Sequence, residues 1–202
     1  MRLPAIAAGL LALAACIEMP VSNVTRLAGG TISLQAPQGY CTDPVASRPQ
    51  SDFIVLMPCA SLGVDGPVPA VLGLVTVQAG AEGSGSIATD EGALRDFLTT
   101  ARGRALLSAA GNSADIRILS TQAFDDQVMV HFTDAGDPPL TGLQQEEWRA
   151  FRNIGGRLVT IGVRGLATAP LRDGPGAALL KQAVAGVRPV QPAGTVTAAA
   201  EG

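Results

Sequence analysis

Ile116-Arg117-Ile118-Leu119-Ser120-Thr121-Gln122-Ala123-Phe124-Asp125-Asp126-Gln127-Val128-Met129-Val130-His131-Phe132 is the stretch whose reading decides the fold. Residues 116–124 and 128–132 are strand-like runs rich in Ile, Val, Thr and Phe, and Asp125-Asp126 stands between them as a hairpin turn. The pattern returns at once. Residues 146–153 and 158–163 are two more such runs, joined at Gly155-Gly156, with a loop at 134–142 containing Asp137-Pro138-Pro139 between the hairpins. Two successive hairpins predict an antiparallel sheet.

Working outward, residues 70–78 are apolar on both alternating sets until Thr76, the pattern of a strand covered on both faces. Residues 53–57, Phe-Ile-Val-Leu-Met, form a buried strand that ends at Pro58-Cys59. Residues 31–36 make a first strand, stopped by Pro37 and the turn at Gly39. After Asp90, an N-cap residue, Leu94, Phe97, Leu98, Ala101 and Ala105 recur at helical spacing, and Gly111-Asn112 ends one helix. Arg95, Arg102 and Arg104 lie off that stripe, as a solvated face. A closing helix fits residues 174–187, with Pro189 beyond it. The order of strands, helix, two hairpins and helix predicts an α+β domain, a mostly antiparallel sheet with helices packed on both faces as an α/β/α sandwich. That order, with Thr31-Ile32-Ser33-Leu34-Gln35-Ala36-Pro37 as an opening strand and proline, resembles the PsbP/Mog1-like fold across residues 30–188. The resemblance implies a binding or assembly module, and carries over no functional residue.

The N-terminus has a different character. Arg2 precedes an uncharged apolar stretch at residues 3–15, and Leu13-Ala14-Ala15-Cys16 closes it with small residues. The stretch is roughly 13 residues, whereas a bilayer crossing needs about 20, so it reads as a cleaved signal. Leu13-Ala14-Ala15-Cys16 resembles the lipobox of bacterial lipoproteins. The resemblance implies that Cys16 carries the lipid, as the first residue of the mature chain, and that acyl chains hold the domain on a membrane. The division expected is 1–15 signal peptide, 16–29 lipidated tether, 30–188 a single α+β domain and 189–202 a disordered tail, the last from its Pro, Gly and Ala content.

Cysteine parity agrees. The chain has 3 Cys, and an odd count in an exported protein calls for an explanation, which lipidation of Cys16 supplies. Cys41 and Cys59 remain, in an oxidising compartment, and predict a structural disulfide. No Cys-x-x-Cys favours redox exchange, and one His cannot complete a zinc site with two distant thiols.

Composition removes other classes. Charged residues are 15% and the formal net charge is -3, so no basic field exists to hold nucleic acid. Aromatics at 3% leave no stacking platforms for bases or sugars. The Glu82-Gly83-Ser84-Gly85-Ser86 loop lacks the Lys-Ser/Thr of a phosphate cradle. His131, the single imidazole, shares a strand face with Met129 while Val128, Val130 and Phe132 share the other, and no Gly-x-Ser-x-Gly elbow accompanies it. Asp125, Asp126, Asp134, Asp137, Glu146 and Glu147 lack the spacing of a calcium loop and read as solvated turn and surface acids. Trp148 with Arg149 and Arg152 offers a recognition strip, against the plainer account of Trp148 packing in the sheet.

These residues assign no catalytic, cofactor-binding or metal-binding group, and no cofactor. The expectation is a non-enzymatic periplasmic domain, anchored through Cys16, at the outer membrane rather than the inner, that binds or scaffolds an envelope protein partner. A small-molecule or ion-binding lipoprotein is the alternative, and a hydrolase a more distant one.

Overall fold

The computed structural model describes residues 24–190, so the expected signal, Cys16 with residues 16–23 of the expected tether, and residues 191–202 of the expected tail lie outside the described residues. Its strands are β1 (Val24–Leu27), β2 (Ile32–Gln35), β3 (Tyr40–Thr42), β4 (Phe53–Pro58), β5 (Leu74–Ala79), β6 (Ile116–Phe124), β7 (Gln127–Asp134), β8 (Leu143–Ile154), β9 (Arg157–Leu166) and β10 (Val187–Pro189). The helices are α1 (Glu91–Thr99), α2 (Ala101–Leu107) and α3 (Asp173–Gly186). The hairpins β6–β7 and β8–β9 form as expected. Asp125 and Asp126 take φ of 52° and 57°, Gly155 and Gly156 φ of 60° and 79°, and these left-handed pairs reverse the chain with the twist that flanking strands need.

The large sheet has the order β3-β4-β5-β9-β8-β7-β6, with every neighbouring pair antiparallel. Side-chain alternation divides it into two faces. Ile54 and Leu56 of β4, Val75 and Val77 of β5, and Val159, Ile161 and Val163 of β9 are buried against Leu179, Leu180 and Ala183 of α3. A small sheet of order β1-β2-β10 completes that cover with Leu27, Ile32, Leu34 and Val187. On the other face, Val128, Val130 and Phe132 of β7 pack against Leu94, Leu98 and Leu107 of α1 and α2. Each such fully buried aliphatic contributes about 1.5 to 3 kcal/mol. The chain is thus an α+β fold, with helices on both faces of an antiparallel sheet.

The structure moves several boundaries. Residues 24–29, expected in the tether, belong to the fold: β1 pairs with β2, and Leu27 and Ala28 are buried. Only the second part of the expected 70–78 strand is one, because Tyr40 receives the Gly73 N–H and donates to the Val71 carbonyl, holding the approach to β5 off the ladder. The single helix after Asp90 is two. Thr100 is extended at φ -72°, ψ 163°, and its hydroxyl accepts from the Gly103 N–H, capping a new start. Pro189 lies in β10 rather than in a tail, and the Val190 N–H donates to the Thr31 carbonyl. Cys41 lies in β3, and its sulfur is bonded to that of Cys59 with Cα atoms 4.9 Å apart. No helix of the described residues is long and apolar enough to cross a membrane.

Candidate functional groove

The helix pair α1–α2 covers the β6–β7 end of its face and leaves the region over β4, β5 and β9 open. There a groove of about 480 Å³ runs between Ala46 and Arg48 on one wall and Pro139, Leu140 and Leu143 on the other. Its volume falls in the range of small-molecule and peptide-segment sites, about 300 to 1,000 Å³. The outward-facing residues of the three strands make its floor. Val55 and Leu74 are apolar and buried, while Thr76, Gln78 and Thr160 supply polar atoms. A Cβ at Gly162 would stand 2.7 Å from Thr76 Oγ1 and 3.0 Å from Glu147 Oε1, so any larger residue would fill the floor.

Charge is concentrated at one end. Glu147 is buried, and each of its oxygens is held by an arginine. Arg149 donates from Nε to Oε1 at 2.6 Å; Arg164 donates from Nε and Nη2 to Oε2 at 2.7 and 2.5 Å. Arg164 also donates to the Gln144 carbonyl at 3.1 Å, and its side chain is only 6% exposed. A charge so far from water persists only when paired, which the shared carboxylate achieves. Two guanidiniums against one carboxylate leave one positive charge in excess, and Arg48 at the rim adds another. Arg149 also lies over the Phe132 ring, 5.2 Å from its centroid, a cation–π contact that fixes the guanidinium. Among the described residues, nothing accepts from the terminal NH₂ groups of Arg149, so these donors are free for a ligand. The arrangement can bind an anionic group beside apolar surface.

Residues singled out from the sequence fall elsewhere or change role. Trp148 and Arg149 point to opposite faces, so the recognition strip does not exist as one surface: Trp148 is buried against α3, and Arg149 enters the groove. Asp134 and Glu147 are buried rather than solvated; Asp134 accepts from the Ala109 and Gly136 N–H groups, at 2.9 and 3.0 Å. Glu146 is hydrogen-bonded to His131. The loop at Gly83 is a turn packed on β9, where Ser84 Oγ accepts from the Leu158 N–H. Sequence reasoning missed the groove. Its signal, an Arg-and-Glu pair on the odd positions of β8 matched by Arg164 on β9, becomes readable only once the strands are in register.

No family model matches this chain, and no curated protein does. Its fold is similar to solved structures. One is a mutant of the protein Mog1, at 11% identity and a TM-score of 0.50, covering 83% of this chain and 95% of that one. Others are the Ran-binding protein Mog1p of Saccharomyces cerevisiae, at 12% identity, TM-score 0.48 and coverage of 82% and 93%, and the cyanobacterial PsbP of Synechocystis, at 10%, 0.40 and coverage of 88% and 99%. Likeness at this identity concerns the fold alone. The described chain has a Mog1-like architecture.

Proposed function

We propose that this chain is a lipid-anchored, non-catalytic binding domain of the cell envelope, whose groove holds an envelope partner that presents an anionic group beside an apolar surface. The observation that carries the reading is the pairing of one buried carboxylate with two arginines, one of which keeps unclaimed donors aimed into an apolar cleft. Among the described residues, the groove lining contains no His, Cys or Ser, and both oxygens of its single acid, Glu147, are engaged by guanidinium groups. Such a site favours holding a ligand over transforming it. The architecture shared with Mog1, with a Ran-binding protein among the structural neighbours, supports a protein partner. Anchoring rests on the Leu13-Ala14-Ala15-Cys16 ending and on a bonded cysteine pair suited to an oxidising compartment, with the outer membrane as the expected site.

A photo-crosslinking residue placed at Gln78, in the groove, and at Lys181, on the opposite face, tests this in the cell's own membranes. The reading expects one dominant protein adduct from position 78, lost when Arg149 is also replaced by Gln, and none from position 181. Equal adducts from both positions would reject the groove as the binding surface. The groove's volume also suits a small amphiphile, and a lipid-sized adduct at position 78 would favour that second reading.

A further inference from the structure

On the sheet face opposite the groove, where α3 begins, three ligand-type side chains from three elements converge. His131 of β7, Glu146 of β8 and Asp173 of α3 each offer one donor atom, and these atoms lie within 4.8 Å of one another. Nε2 of His131 is 2.6 Å from Glu146 Oε1 and 3.6 Å from Asp173 Oδ1. The His131 side chain is 10% exposed and stacks on Trp148, with ring centroids 4.5 Å apart and planes inclined by 14°. Its direction is thereby fixed. The carboxylates are more open, 31% for Glu146 and 85% for Asp173, and a small cleft of about 170 Å³ is lined by His131 and Asp173.

We propose that His131, Glu146 and Asp173 form a binding site for one divalent transition-metal ion of the zinc class. An imidazole nitrogen with two carboxylate oxygens suits Zn²⁺ or Co²⁺, whereas Ca²⁺ and Mg²⁺ call for oxygen donors throughout. Tetrahedral ligands at about 2.0 Å from an ion stand about 3.3 Å apart. The two separations from His131 Nε2, 2.6 and 3.6 Å, bracket that value, and the two carboxylate oxygens lie within 4.8 Å of one another, so the set would close on an ion with modest adjustment. Two carboxylates and a neutral imidazole balance a dication, and three protein ligands leave one position for water. Lys181 lines the same cleft, with no ion pair to either carboxylate among the described residues. Because Asp173 opens α3 while the other ligands belong to the sheet, a bound ion would tie the helix start to the sheet.

The test uses the Cys16→Ser full-length chain, so that no free thiol binds metal, stripped with chelator and titrated with Co²⁺. The site predicts visible ligand-field bands that saturate at one equivalent, are displaced by Zn²⁺, and accompany a rise in the thermal midpoint. Glu146→Gln and Asp173→Asn should each weaken binding at least about tenfold. His131→Ala should abolish it, and since His131 also packs on Trp148, the exposed Asp173 serves as the variant that leaves folding intact. Asp126→Asn, in the remote β6–β7 turn, should leave affinity unchanged. Absence of the bands at millimolar Co²⁺, or equal affinity in wild type, Glu146→Gln and Asp173→Asn, would overturn the site.

Discussion

Glu147 is the residue on which the groove's charge balance turns, since it is the one acid among its lining residues and both of its oxygens are engaged. Glu147→Gln removes the counter-charge of a buried guanidinium and should cost roughly 3 kcal/mol, read as a lower urea midpoint at unchanged slope. Arg149→Gln should cost under about 1 kcal/mol, because Arg149 is partly exposed and Glu147 retains Arg164. Equal losses would mean that charge balance does not govern the site. Tyr40 provides a pH test. Burial pushes its phenol up to about 12, against a smaller opposing effect of the hydrogen bond from Gly73. The folded state thus keeps a proton that the unfolded state releases near pH 10, so stability is complete below pH 10 and falls between about pH 10 and 12. The slope should be roughly 1 kcal/mol per pH unit, and Tyr40→Phe should flatten it in alkaline urea titrations. Little of this was legible in the sequence. Gln-Gln-Glu-Glu-Trp-Arg at 144–149 does not distinguish a solvated acid from a buried one, because the partner that decides, Arg164, arrives from the next strand.

Among the elements, the hairpins were readable because a two-residue turn is chosen by its own residues. The break at Thr100 was not, since the apolar stripe continues through it from Leu98 to Ala101 and only the cap to Gly103 reveals a new start. β3 and β10 span three residues each and exist through their partners, β4 and β2. At the edge of the large sheet, β3 is tied by Cys41 to Cys59 just beyond β4. Replacing both cysteines by Ser should lower stability by about 2 to 4 kcal/mol, measured by urea unfolding. Labelling of both thiols in unfolded, unreduced protein would show the bridge is not formed. α3 allows a sharper test. Alanine normally improves a helix over glycine by about 1 kcal/mol, yet a Cβ at Gly176 would lie about 2.5 Å from ring atoms of Trp148. Gly176→Ala should therefore destabilise by about 1 to 3 kcal/mol and shift Trp148 fluorescence, the reverse of the propensity expectation.

For the whole molecule, the proposed anchoring rests on the sequence alone. Cys16→Ser should leave the precursor uncleaved or the product soluble, and intact mass of the wild-type chain should show an acylated Cys16 as first residue. A mature chain beginning elsewhere would remove the anchor from the proposed function. The sheet order carries a different consequence. β6 to β9 follow one another and pair in turn, so each contact closes only a short loop, whereas β5 must find β9 from far upstream, Ala79 meeting Val159 and Leu74 meeting Arg164. Loop-closure entropy delays such distant pairings. The meander should therefore assemble first and offer the free edge of β9 as a template, on which β5, β4 and β3 then add as successive strands. In a chevron experiment, Ile161→Val in β9 should slow refolding, while Ile54→Val in β4 should chiefly speed unfolding.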